Sequence, residues 1–268
     1  MAKLAPVTTE TLRRMKTDGE KIAVVTSYDA SFTCLLEDAG VEVLLVGDSL
    51  GMVVQGHEST LPVTVDDMIY HSRCVARAAK RALRVVDMPF MSCASVAQSL
   101  DNAARLLREG RAQMVKLEGG ELMYDSVAAL TQHGIPVCGH LGLTPQSVHQ
   151  LGGYRVQGRE EQAATRLLDE AIGLEQAGAS MLVLECVPSA LAKQVSERLG
   201  IPVIGIGAGV DCDGQVLVLY DLLGITPGKR PKFSQNFLDG ARDIPAALEA
   251  YVAAVKAKQF PAAEHTLA

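Results

Sequence analysis

Five polar groups stand where apolar runs stop. Asp48 follows VLLVG, Asp87 closes RVVD, Glu118 closes MVKLE, His140 closes IPVCGH and Glu185 closes MLVLE. Each run is short and nearly continuous, the pattern of a parallel strand covered on both faces, so each delivers a polar group to its carboxyl end. Lys116 precedes Glu118 by two positions and faces the same side of its strand. Asp48, Asp87 and Glu118, with no cysteine or histidine cluster beside them, form a hard, oxygen-rich donor set that suits magnesium better than zinc. Taken singly, any of these acids could instead cap a helix or pair with a nearby base. Glu185 follows four apolar residues; poor solvation would raise its pKa towards the range of a general base, the alternatives being a metal ligand or a salt-bridged core acid. His140, with Gly139 and Gly142 leaving room around it, reads as a neutral donor to substrate or as a satisfied structural histidine. Lys116 could be the Schiff-base amine of a metal-free aldolase, but the surrounding acids would hold it protonated.

These groups meet only if the strands are arranged around one mouth. Strand candidates fall at 21–26, 43–46, 84–87, 112–118, 135–140, 180–185, 201–206 and 215–221, and helical stretches lie between most of them, including 31–39, one capped by Thr64, 160–177, 189–199 and a final one at 244–258. An amphipathic segment within residues 1–20 covers one end, and long loops follow the second and fifth strands. Eight alternating units in a chain of 268 residues predict a single (β/α)8 TIM barrel spanning residues 1–268, in which every strand end reaches one catalytic face. The rival is a doubly wound sheet. GIGAG after the seventh strand has its third glycine one residue too early for a dinucleotide fingerprint and comes late in the chain, which also counts against a nicotinamide cofactor.

Composition narrows the classes further. A net charge of −6, no tryptophan and no basic stripe argue against a nucleic-acid partner. No apolar run is long enough to cross a bilayer and the first ten residues lack a secretory pattern, so a cytoplasmic address is expected. The six cysteines are scattered without a Cys-x-x-Cys pair and read as reduced thiols; only Cys186, beside Glu185, is placed to act as a nucleophile, and no histidine near it in sequence supports that.

The blocks GDSLGMVVQGHESTLPVT, DMPFM, MVKLEGG, VCGHLGLTPQSVHQLGGYRVQGR, LVLECVP and IPVIGIGAG…DGQVLV resemble the ketopantoate hydroxymethyltransferase family from about Thr9 to the C-terminal tail. Departures lie in helices, termini, the VDCDGQ segment and the tail HTLA. The resemblance implies a barrel of the phosphoenolpyruvate mutase/isocitrate lyase type, a homo-oligomer, commonly a decamer, and a role in pantothenate biosynthesis. It implies Mg2+ held by Asp48 and Asp87, with Glu118 completing the site directly or through water. A keto acid, 3-methyl-2-oxobutanoate, would be bound by Ser49 and Lys116 with the metal, by the metal-site residues Asp48 and Asp87, and by His140. Glu185 would accept the proton, and 5,10-methylenetetrahydrofolate would be the one-carbon donor. Arg155 and Arg159, on the loop after the fifth strand, are candidate contacts for its glutamyl tail. A mutase or lyase acting on phosphonates or 2-hydroxy acids, and a non-catalytic keto-acid sensor, are the competing readings.

Overall fold

Apolar runs of strand length, each too short to make a stable helix of its own, form the wall of a closed barrel in the computed structural model, which describes residues 5–226, 228 and 230–267. The strands are β1 (Ile22–Thr26), β2 (Val43–Val46), β3 (Leu83–Asp87), β4 (Met114–Glu118), β5 (Val137–Gly142), β6 (Met181–Glu185), β7 (Val203–Ile206) and β8 (Gly214–Leu217). All pair in parallel and in chain order, and β8 returns to β1 with Val24 opposite Val216. The predicted (β/α)8 barrel is the observed fold.

The helices are α1 (Thr9–Thr17), α2 (Ala30–Asp38), α3 (Leu50–Val53), α4 (Val65–Ala78), α5 (Val96–Arg108), α6 (Tyr124–Gln132), α7 (Val148–Leu151), α8 (Glu161–Gln176), α9 (Ser189–Arg198), α10 (Leu219–Leu222) and α11 (Ile244–Lys256). Several begin on the side-chain caps that short polar residues supply. Thr64 and Asp67 form a reciprocal capping box on α4, and Asp29, Ser95 and Asp243 cap α2, α5 and α11. Helix α1 lies within the amphipathic N-terminal segment. It buries Leu12 and Met15 against the barrel interior, and its Lys16 pairs with Asp213 at 2.6 Å.

Strand alternation sorts the side chains into two layers. Val24, Val43, Leu45, Val85, Met114, Cys138, Met181, Val183 and Val216 fill the interior, while Val25, Leu44, Val46, Val86, Val115, Leu117 and Leu184 pack outward against the helices. Asp87, Lys116, Glu118, His140 and Glu185 continue the inward columns at their upper ends. The last helix closes the seam: the Tyr251 hydroxyl lies 2.9 Å from the carbonyl oxygens of both Val24 on β1 and Gln215 on β8.

Most strand starts shift by one or two residues from expectation, and three of the boundary differences are informative. β8 ends at Leu217, and the apolar run that predicted a strand to 221 turns at Val218 into α10, because a short unbroken apolar series does not distinguish strand from buried helix. β4 begins at Met114, not 112. β5 runs on to Gly142, so His140 lies within the strand rather than at its end. Gly142 has φ +91°, and a Cβ there would collide with the Glu185 carbonyl oxygen. Gly142→Ala is therefore expected to push β5 from β6 at the level of Glu185, costing ~2 kcal/mol. A thermal melt checks this, and an unchanged midpoint would show that the two strands have slack there.

Candidate active site

Register brings the strand-end groups together two by two. Asp87 on β3 is opposite Lys116 on β4, Glu118 on β4 is opposite His140 on β5, and Gly142 on β5 is opposite Glu185 on β6. Partners in a parallel pair point to the same side, so the inward columns become contacts. Lys116 Nζ is 3.1 Å from Asp87 Oδ1 and 3.2 Å from His140 Nδ1. His140 Nδ1 is 3.4 Å from Glu118 Oε1, and His140 Nε2 is 3.4 Å from Glu185 Oε2. Asp48 follows Gly47 just beyond β2, and its backbone N–H donates to Asp87 Oδ2 at 3.0 Å. Ser49 is held by the buried Tyr28, the two hydroxyl oxygens 2.9 Å apart.

Gln146 is a site residue that strand-end reasoning misses. Its side-chain amide donates to Asp48 Oδ2 at 2.8 Å and to the Met88 carbonyl at 3.0 Å, and its backbone N–H donates to Glu118 Oε2 at 3.0 Å. One residue of the loop after β5 thereby ties β2, β3 and β4 together at their tips. A glutamine in a loop carries no periodicity; the length and irregularity of that loop were its only trace.

Burial sets the charges. Loss of solvent, then the Asp87 and Glu118 carboxylates, push the Asp48 carboxyl well above its usual range. Burial likewise raises Asp87, against the pull of Lys116. Glu118 is also desolvated, yet its contacts with His140, Lys116 and the Gln146 N–H outweigh this and leave it lowered. For Lys116, burial works against the charge, but Asp87, Glu118 and Asp48 win and hold the ammonium more firmly than usual, which counts against the Schiff-base reading. The Cys186 thiol is pushed far up by burial and then by Glu185, so it is not a ready nucleophile.

His140 is desolvated and faces Lys116, both of which lower its pKa, but Glu118 and Glu185 raise it overall to about 8. A histidine raised from 6.5 to about 8 adds stability that is full below 6.5 and lost as pH climbs through 8. In metal-free protein the difference in stability between wild type and His140→Asn should shrink by about 2 kcal/mol between pH 6 and pH 9. Melts at both pH values read it; a gap that stays constant would mean the imidazole does not titrate in that window.

These groups line a cavity of 820 Å³ at the carboxyl ends of the strands, together with Gly47, Ser49, Tyr154, Ile206, Phe233 and Leu267. Arg155 and Arg159 are not among its lining residues; the neighbouring Tyr154 and Val156 are. A second depression, of 1010 Å³, lies between outer helices against Glu121, Tyr124, Arg166 and Glu170 and contains none of the strand-end groups.

Among the described residues, no three His, Cys, Asp or Glu side chains form a ready-made metal cage. The donors nevertheless fit a hard dication of the kind held by one or two carboxylates, waters and substrate oxygens. Asp48 and Asp87 are adjacent buried acids that resist ionisation, and Asp87 Oδ1 has no hydrogen bond despite its ion pair with Lys116. A cation between them would relieve both conditions. Glu118 has both oxygens turned to His140 and Gln146, which places it in the outer ring of such a site.

The family model described as ketopantoate hydroxymethyltransferase matches residues 6–263. The chain belongs to this family. The 3-methyl-2-oxobutanoate hydroxymethyltransferase of Nitrosococcus oceani is 63% identical over 253 residues, 94% of this chain and 96% of its own length. That of Halorhodospira halophila is 60% identical over 259 residues, 97% and 94% of the two chains. As a member of the ketopantoate hydroxymethyltransferase family the chain is a transferase. Among solved structures, 2,3-dimethylmalate lyase, a PEP mutase/isocitrate lyase superfamily member, aligns with TM-score 0.58 and 19% identity over 81% of this chain and 82% of its own, a likeness of fold. No helix among the described residues is long and apolar enough to cross a membrane.

Proposed function

We propose that this enzyme transfers a hydroxymethyl group from 5,10-methylenetetrahydrofolate to 3-methyl-2-oxobutanoate, giving ketopantoate for pantothenate biosynthesis. The observation that carries the reading is the meeting of Asp48, Asp87, Lys116, His140 and Glu185 in one mouth cavity, in a chain of this family.

Mg2+ would be held by Asp48 and Asp87, with Glu118 acting on it through an intervening group. When bound it supplies a Lewis acid that polarises the 2-oxo group and stabilises negative charge developing on that oxygen. Ser49, oriented by Tyr28, and the Lys116 ammonium bind the acid end of the keto acid. Glu185 takes the proton from carbon three, and its carboxylate faces the His140 ring at 3.4 Å, which fixes its direction. The carbon freed of its proton attacks the methylene carbon of the donor, and water then replaces the donor nitrogen on that carbon: the carbon–nitrogen bond breaks, the nitrogen takes up a proton, tetrahydrofolate leaves, and the water oxygen becomes the hydroxyl. Until the carbon bond forms, the loops after β2 and β5, which bring Met52, Val53, Pro145 and Tyr154 to the cavity wall, keep bulk water from the reacting carbon.

The test is turnover of 3-methyl-2-oxobutanoate with 5,10-methylenetetrahydrofolate, with ketopantoate identified by mass spectrometry. Turnover of phosphonates or 2-hydroxy acids in its place would favour the mutase or lyase reading, and binding without turnover the sensor. Decameric assembly and a cytoplasmic address belong to the same proposal. The exposed Phe90, Met91 and Leu122 support association, since a monomer leaves these apolar side chains in water. Sedimentation velocity reads the subunit count.

A further inference from the structure

The mouth is far larger than a small branched keto acid requires; 820 Å³ is the size of cavity that encloses a drug-sized ligand. Its acids, Asp221 after β8 excepted, come from the β2 to β6 arc. The remaining arc, after β7 and β8, has a different character: Ile206, Val216, Phe233 and Leu267 give it an apolar face, and Arg230 and Lys232 stand exposed at its rim. Among the described lysines and arginines that line the cavity, Lys116 is buried and paired with Asp87, so these two are the cations open to a ligand. Asp221, the acid that senses Arg230, is buried and accepts from Thr226 Oγ1 at 2.6 Å.

This face is built, not draped. Gly207 follows β7 with φ +63°, and a Cβ on it would stand 3.0 Å from Phe233 Cδ1 and 3.2 Å from Leu267 Cδ1, so the missing side chain lets both close on the turn. The Ser234 and Phe237 backbone N–H groups donate to the Pro231 and Leu222 carbonyls, at 3.1 and 2.8 Å, which fixes the segment carrying Phe233. Leu267 is delivered by the C-terminal turn, whose His265 ring lies 5.4 Å from Phe260, itself 5.4 Å from Phe237 and 5.9 Å from Tyr251.

We propose that the β7–β8 arc is the donor subsite: Phe233 and Leu267 pack against the planar heterocycle, and Arg230 and Lys232 receive the carboxylates of its glutamyl tail. The assignment rests on the folate reading above and moves the tail from Arg155 and Arg159 to the opposite side of the mouth. An anionic tail needs cations at the rim, and the faces of a pterin ring need apolar side chains to pack on; this arc provides both, with the buried Asp221 carboxyl as its one acid.

Calorimetric titration of the full chain with three probes tests it: tetrahydrofolate, a tetrahydropterin lacking the tail, and 3-methyl-2-oxobutanoate with Mg2+. In Arg230→Ala/Lys232→Ala the Kd for tetrahydrofolate should rise about tenfold at low salt, with the gap to wild type closing as salt increases. The tail-less pterin and the keto acid should bind as before. In Phe233→Ala both pterin probes should weaken by a similar factor and the keto acid should not. Variants that bind tetrahydrofolate as wild type does, or that lose the keto acid equally, overturn the subsite alone. A wild type that binds no tetrahydrofolate overturns the folate reading and the subsite with it.

Discussion

Glu185→Gln is expected to lower turnover about a thousandfold while leaving keto-acid affinity within a few-fold of wild type. The amide keeps the shape of the carboxylate and its approach to His140 but has no oxygen basic enough to take a proton from carbon three. Affinity should survive because the groups proposed to hold the acid end of the substrate are Ser49, Lys116 and the cation between Asp48 and Asp87, not Glu185. Exchange of the carbon-three proton with deuterium, followed by proton NMR without the folate donor, isolates the step. Exchange at the wild-type rate would show that another group is the base. Loss of keto-acid binding in the same variant would instead make Glu185 part of the substrate clamp.

Asp87→Ala should damage both the fold and the chemistry. The side chains of Asp87 and Lys116 are 4% and 5% exposed, and removing the acid deprives a buried ammonium of its contact at 3.1 Å. Breaking a buried pair from one side costs about 3 kcal/mol, most of it the burden of the charge left behind. Lys116→Met in the same chain should recover much of that stability, and thermal melts of the four proteins give the coupling. Activity should not return in the double variant, because one carboxylate proposed to hold the metal and the Lys116 ammonium proposed to bind the keto acid are then both missing. Titration with Mg2+ should show weakened uptake in Asp87→Ala, and wild type stripped by a chelator should lose turnover and regain it when Mg2+ is restored. Full activity after stripping would reject the metal role, and an uncoupled pair of melts would reject the charge argument.

Much of the site was legible because it is made by strands. A column such as Leu83, Val85, Asp87 states its own direction: two inward apolar residues followed by an acid can only bring that acid to the barrel mouth. Lys116 beside Glu118 follows the same rule. What escaped belongs to segments without a period. Gln146 reaches Asp48 across a long sequence separation from inside an irregular loop, and nothing in LTPQS distinguishes it from a solvated turn. Arg155 and Arg159 drew attention because they sit on a long loop, yet side-chain direction in a loop is not coded by spacing, and neither lines the cavity. Leu267 was silent because its place in the mouth depends on how the C-terminal turn packs on Phe260, a tertiary event, and Arg230 and Lys232 because they lie in an irregular segment between α10 and α11.

The seam between β1 and β8, held by Tyr251, bears on how the chain is born. A ribosome releases the first strand long before the eighth exists, so a growing sheet carries two bare margins, each a template for a neighbour's backbone. Only when Gly214–Leu217 and the helix bearing Tyr251 emerge can the ring shut. Truncation before α11 should therefore yield aggregates rather than a smaller enzyme, since the margins of the sheet stay bare until that helix is made.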